Sequence, residues 1–382
     1  MKQFKMILNL TSTGRRIFSL ALLLALGSLA VLTAGAQEPP EPAQTPLPCP
    51  PGVPCKAPKT TPKTAPVPKN TSKPKVVVTV PVRPPETTVV VNEGDTPAEK
   101  FLAVESKVYV SLCVKRADSV RINGWDRDEI RAFVDEGSAV GFKIGQDSPK
   151  TKKPVLVYVL GFDPRTNREV KPEECLSGRA IELDVPRAAT VKLKSMESDT
   201  RIESVGKVFV ESLNGDIHLN DITGGVDATT YDGDVTVENS SGQFVLNNNG
   251  AGNVLAFGVN PDEIGDIFKA KSNSGRITLK DVGHRQIETN SGTGSIVFDG
   301  ELLSGGQYRF AATNGSILLN IPANSLCKIV ALFGFGAFSS DIPLQNTLKK
   351  EQSLTGQLGT EDKSCNLYLT TGSGVIRLKK RQ

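Results

Sequence analysis

A five-residue phrase, Gly-x-[Ile/Val]-x-[Leu/Val/Phe], recurs through the second half of the chain, at Gly215, Gly233, Gly275, Gly294, Gly315 and Gly374. Degenerate copies at Gly252, Gly336 and Gly356 fill the long gaps. The nine glycines then follow one another at 18, 19, 23, 19, 21, 21, 20 and 18 residues. A period near twenty residues admits few architectures. Each repeat is one supersecondary unit, too small to bury its own apolar face, and must stack on its neighbours to make a core. Apolar positions alternate within a unit, as in Val208 and Val210, Ile217 and Leu219, and Val226 and Ala228. That alternation marks strands with one buried and one wet face. The glycine, preceded by Asn214, Asp232, Ser274 or Asn314, supplies a corner that a Cβ would obstruct.

The pattern predicts an all-β chain. Residues 196–382 would form a single-stranded parallel β-helix (a β-solenoid) of about nine coils, roughly 43 Å long at a strand spacing of about 4.8 Å. The competing reading is a run of β-hairpins in a meander or sandwich, since Asn214-Gly215 and Asn314-Gly315 are good two-residue turns. Near-constant spacing favours the stack. Residues 97–195 carry no repeat and are expected to form an irregular β-rich N-terminal cap over one open end. The last coils would close the other, because uncovered strand edges invite aggregation.

Residues 1–36 read as a cleaved export signal. Lys2, Lys5, Arg15 and Arg16 precede an uncharged apolar run from Ile17 to Ala36, and Ala34-Gly35-Ala36 places the cut between Ala36 and Gln37. The alternative is a retained membrane anchor, because about 20 apolar residues span a bilayer. Residues 37–90 are rich in Pro, Lys and Thr. Proline lacks an amide donor and fixes φ, so this segment is expected to be an extended, disordered, basic spacer. The six cysteines, Cys49, Cys55, Cys113, Cys175, Cys327 and Cys365, fall into three regional pairs. They are disulfide candidates in an oxidising compartment, with connectivity open. The net charge of +4 over 382 residues gives no sign of nucleic-acid binding.

Nothing in the sequence names a reaction, and no catalytic, cofactor-binding or metal-ligating residue is assigned. Asp216 and Asp234 occupy matching places in neighbouring units with Asp232 nearby, yet later units carry Arg276, Ser295, Ser316 and Val375 there. Solvated turn carboxylates are the simpler reading than a Ca²⁺ site. His218 and His284 lack a repeated partner and read as surface histidines. Trp125 reads as a packing or capping residue rather than a sugar platform. "CKIVALFGFGAF" reads as buried coil, and Lys379, Lys380 and Arg381 as a small basic tail.

The phrases "GDIHLNDITGGVDATTYDGDVTVENSSG", "YRFAATNGSILLNIPANS", "SSDIPL" and "LYLTTGSGVIRL", with "INGWDRDEIRAFV" upstream, resemble the bacterial adhesin-like β-strand-repeat family known as domain of unknown function 4097. The resemblance runs from about residue 100 to 380. The chain departs from the family pattern in its spacer, its cysteines, "QDSPKTKKP" and "VNPDEIGDIFKAK". The resemblance implies an exported envelope β-solenoid and supplies no catalytic residues. The expected function is therefore non-enzymatic: an exported protein, periplasmic, cell-surface or secreted, whose polar repeat face binds a cell-wall polymer, a glycan or an envelope protein. It would touch a membrane only through an uncleaved N-terminal segment. The rival expectations are a carbohydrate-active β-helix enzyme and a membrane-tethered envelope-stress sensor.

Overall fold

The computed structural model describes residues 99–162, 175–263, 265–360 and 365–381. The export segment with Ala36 and Gln37, the 37–90 spacer, and Cys49 and Cys55 lie outside the described residues. Among the described residues the protein is all-β: 26 strands in one continuous mixed sheet, with no helix.

Each repeat contributes two strands around a glycine corner. Lys207–Asn214 and Ile217–Asn220 flank Gly215, and Val226–Asp232 and Val235–Glu238 flank Gly233. The strand before the corner pairs in parallel with its counterpart in the next repeat, and so does the strand after it. Two ladders result. The first aligns Val208, Val226, Phe244, Phe268, Ile287 and Tyr308. The second aligns Ile217, Val235, Val254, Ile277, Ile296 and Ile317. All twelve side chains are buried, and fully burying each contributes about 1.5–3 kcal/mol. A parallel pair needs a long crossover between its strands. Here the rest of the repeat is that crossover, which is why a period near twenty residues and parallel pairing go together.

The corner tolerates no side chain. Gly233 has φ +115°, and a Cβ there would lie 2.4 Å from the carbonyl oxygen of Gly215 in the layer below. Buried polar side chains complete the bend from inside. Asn248 Nδ2 donates to the Gly233 carbonyl at 2.6 Å, Ser272 Oγ to Gly252 at 2.9 Å and Thr371 Oγ1 to Gly315 at 2.8 Å. Carbonyls crowded at the corner are thus paired rather than left unsatisfied in the core.

The layering begins earlier than the repeat suggests. Tyr109–Trp125 pairs in parallel with Thr190–Glu203, which pairs with both strands of the Gly215 layer. Outside it lie Pro154–Phe162, Leu176–Ser177 and Ala180–Pro186, also parallel. The boundary expected between residues 195 and 196 therefore falls inside one strand. The predicted cap contributes three layers to the same stack. They escape the glycine pattern because Tyr109–Trp125 and Thr190–Glu203 run through the corner as single long strands, with Ser198 where later layers have glycine. The cap proper is antiparallel: Ala139–Asp147 on one ladder, Glu129–Asp135 and then Glu99–Ala103 on the other.

The far end departs from sequence order. After Ile317–Ile321 the chain passes over one layer to form Cys327–Leu332 and Ala337–Ser340. It then folds back as the antiparallel strands Gln345–Lys349 and Ser353–Leu358. Finally it returns to fill the skipped layer with Cys365–Ser373 and Val375–Lys380. Corner glycines run in space Gly315, Gly374, Gly336, and Gly356 is no corner. It sits in an antiparallel strand, where a Cβ would meet nothing closer than 3.5 Å. A hairpin of two short strands is as long as one repeat, so spacing alone could not distinguish them.

Two disulfides staple these out-of-order junctions. Cys113 joins Cys175, tying Tyr109–Trp125 to the outer layer, and Cys327 joins Cys365 across directly paired strands. Both are features of an oxidising compartment.

Candidate functional site

The carboxylates singled out by the repeat serve the corners. Asp199 Oδ1 accepts the Asp216 amide at 3.0 Å, Asp216 Oδ1 accepts that of Asp234 at 2.8 Å, and Asp234 Oδ1 accepts that of Asn253 at 2.7 Å. Asn253 Oδ1 then accepts the Arg276 amide at 3.0 Å. The ladder is longer than the two aspartates visible in the repeat, because Asn253 continues it and Asp199 precedes the first glycine. Asp232 Oδ1 accepts the Ala251 amide at 3.0 Å. Among the described residues, no three His, Cys, Asp or Glu side chains converge on a metal position.

Trp125 closes the turn into Glu129–Asp135: its indole N–H donates to the Glu129 carbonyl at 2.7 Å and Arg127 lies over the ring at 4.8 Å. His218 faces outward from the second ladder, 3.6 Å from Glu238. "CKIVALFGFGAF" divides: Cys327, Ile329, Ala331 and Phe333 are buried, but Leu332 faces outward and Phe335 is 93% exposed. The basic tail is partly fastened, since Arg381 pairs with Asp281 at 2.5 Å and Asp299 at 2.9 Å.

His284 is not a surface residue. It is fully buried, with Nε2 2.7 Å from the Gly242 carbonyl and its ring packed against Phe244 and Phe268 at centroid distances of 5.6 and 5.8 Å. Burial lowers its pKa below the ordinary 6.5, opposed by the Gly242 carbonyl and by Asp266 and Asp262. The unfolded chain thus takes up a proton first on acidification. The stability lent by the neutral ring is complete above pH 6.5 and is lost as pH falls toward the folded-state value, at up to about 1.4 kcal/mol per pH unit. Urea midpoints of the native chain should fall between about pH 7.5 and about pH 5.5. The decline should be shallower in His284→Phe; an equal slope in both would place the titration elsewhere.

The outer face of the first ladder offers groups to a ligand at the alternate positions that strand pleating turns outward. Two recesses open on this face. The larger, of about 580 Å³, is lined by Tyr109, Lys192, Phe209, Glu211, Asp227 and Thr229. Burial, and secondarily the Glu211 carboxylate, push the Asp227 carboxyl up, while Lys207 opposes this. Glu211 pairs with Lys194 at 2.9 Å. The other, of about 180 Å³, lies among Lys269, Gln286, Glu288, Gln307, Arg309 and Tyr368. Lys269 meets Glu288 at 3.7 Å, and the Arg309 guanidinium lies 5.8 Å from the centre of the Tyr368 ring. Amides, charges and aromatic faces in a shallow trough suit polar, ring-bearing chains better than small apolar ligands. These residues fall on the polar positions of their strands, a signal present in the sequence. Which of them neighbour one another depends on register across repeats, and for Tyr368 on the out-of-order C-terminal layer.

No family model matches the chain, and no curated protein matches it. Among solved structures, a match covers 74% of this chain and 99% of the other at 13% identity, with a TM-score of 0.20. That structure is of a "putative cell adhesion protein" from Clostridium sporogenes.

Proposed function

We propose that this protein is a non-enzymatic, exported binding protein. Its β-solenoid, of the adhesin-like β-strand-repeat kind that the sequence resembles, presents the outer face of the first ladder to an extended polymer of the cell envelope. The supporting observation is the in-register parallel stacking, which converts alternate strand positions into columns of polar and aromatic groups running from layer to layer. Such a surface binds by many weak contacts, and rigidity reduces the ordering cost of each. The two disulfides fit an extracellular address. Residues 1–36 would direct export, and residues 37–90 would hold the domain away from its point of attachment. The chain carrying residues 37–382, incubated with purified wall material, should sediment with it and be released by soluble wall fragments. Consistent recovery in the supernatant would defeat the proposal.

A second reading rests on the larger recess. Asp227 and Glu211 line it together, and two carboxyl groups facing one recess are the groups that saccharide cleavage requires. Glycan cleavage that disappears in Asp227→Asn would establish it in place of the first.

A further inference from the structure

The outer face of the first ladder carries an alternation that lies beyond binding in general. Across five successive layers, taken in spatial order, the outward polar residues are Lys269 and Lys271, then Gln286, Glu288 and Asn290, then Gln307 and Arg309, then Asn366, Tyr368 and Thr370, and last Lys328, which shares its strand's outer face with the apolar Val330 and Leu332. Cationic layers alternate with layers of amides, hydroxyls and an aromatic ring. Lys269 is neutralised by Glu288. Lys271, Arg309 and Lys328 are exposed, and none has an ion pair among the described residues. These three step diagonally across the face. Lys271 is in register with Ala311, two positions beyond Arg309, and Lys328 with Gln307, two positions before it. Each step crosses two layers, roughly 10 Å along the stack at the spacing of parallel strands.

We infer that this trough is a binding site for an acidic polysaccharide whose carboxylates are set at intervals along the chain and meet Lys271, Arg309 and Lys328. The inference rests on the binding role proposed above and names its ligand class. Arg309 offers the planar donor fork suited to a carboxylate. Asn290, Gln307 and Asn366 offer both donors and acceptors to sugar hydroxyls, and the exposed Tyr368 ring offers an apolar plate to a pyranose face. A polyanion without sugar rings would engage the cations and leave the amides and the ring without a role. An acidic sugar chain engages the cations, the amides and the ring together.

The test is affinity electrophoresis of the disulfide-intact chain in gels containing polygalacturonate, neutral dextran or polyglutamate, at low and at high salt. Retardation is expected in polygalacturonate, weakened by salt as exposed charge contacts are, with much less in dextran or polyglutamate. Arg309→Ala should weaken binding to polygalacturonate about tenfold, the loss of one charge-assisted contact. The double variant Lys271→Ala/Lys328→Ala should weaken it at least as much. Lys280→Ala, on the outer face of the second ladder, should bind as the unmodified chain does. Because residues 37–90 are themselves basic, full binding by both trough variants would overturn the inference, as would equal retardation in polyglutamate. Retention on wall material without any affinity for polygalacturonate would overturn this ligand assignment alone and leave the wider binding role standing.

Discussion

Gly294→Ala should lower the stability of the protein by about 3 kcal/mol or more, whereas Gly356→Ala should be neutral or slightly stabilising. Both glycines occupy the same place in the sequence period, so a purely sequential reading predicts equal damage. The structure separates them. Gly294 has φ +145°, and a Cβ there would lie 2.1 Å from the carbonyl oxygen of Gly275. That contact is with backbone inside a hydrogen-bonded ladder and cannot be relieved by turning a side chain. The layers would have to part, breaking parallel pairs on both sides, in addition to the cost of about 1–3 kcal/mol for a non-glycine residue held in that backbone region. At Gly356 a Cβ would meet the Gln345 carbonyl oxygen at 3.5 Å, an ordinary contact, in an antiparallel strand without positive φ. Alanine there chiefly reduces the freedom of the unfolded chain. Urea unfolding followed by far-ultraviolet circular dichroism distinguishes the cases. Equal losses in the two variants would mean that Gly356 is a corner after all and that the spatial order of the last layers is wrong.

Removing the Cys327–Cys365 disulfide, by reduction or as Cys327→Ala/Cys365→Ala, should cost about 4 kcal/mol on the chain-entropy account of a loop of this length. The bond joins residues 38 apart in sequence, and the effect should be confined to one end. The C-terminal pair of strands is held between Gln307–Asn314 and Ile317–Ile321 on one side and Cys327–Leu332 and Ala337–Ser340 on the other. It follows its outer neighbour in the chain, and the disulfide ties the two layers together covalently. A layered array opens from its ends, in units that need not involve the middle. Hydrogen exchange should therefore show residues 322–381 losing protection on reduction while the layers from Gly215 to Gly294 keep theirs. Limited proteolysis should release a C-terminal fragment. The Cys113–Cys175 bond, spanning 62 residues, plays the matching part at the other end. Uniform loss of protection, or none, would contradict this account of the staples.

The site was legible only in outline. Asp227, Glu288 and Arg309 fall on the polar parity of strands whose neighbouring Val226, Ala228, Ile287, Tyr308 and Phe310 are apolar and buried, yet nothing local singles them out from other polar strand positions. Their assembly into a trough was not legible, because it needs the register that sets Lys269 against Glu288 and Arg309 against Tyr368. His284 shows the opposite failure. A histidine next to a glycine in a turn carries the marks of the surface, and only the packing of Phe244 and Phe268 around it makes it core.

The amino-acid sequence by itself determined that the repeat region is all-β, that its strands bury one face, and that glycine recurs at intervals of 18 to 23 residues. Those properties are local: pleat, alternation and the steric demands of a bend act within a few residues of one another. Only the tertiary structure decided where the stack begins, that Gly374 lies between Gly315 and Gly336, and which side chains from different repeats share a surface. The reason is that one layer offers nearly the same edge to any other. Backbone hydrogen bonds do not distinguish repeats, so order at the ends is settled by what fits the remaining space and by which cysteines come together.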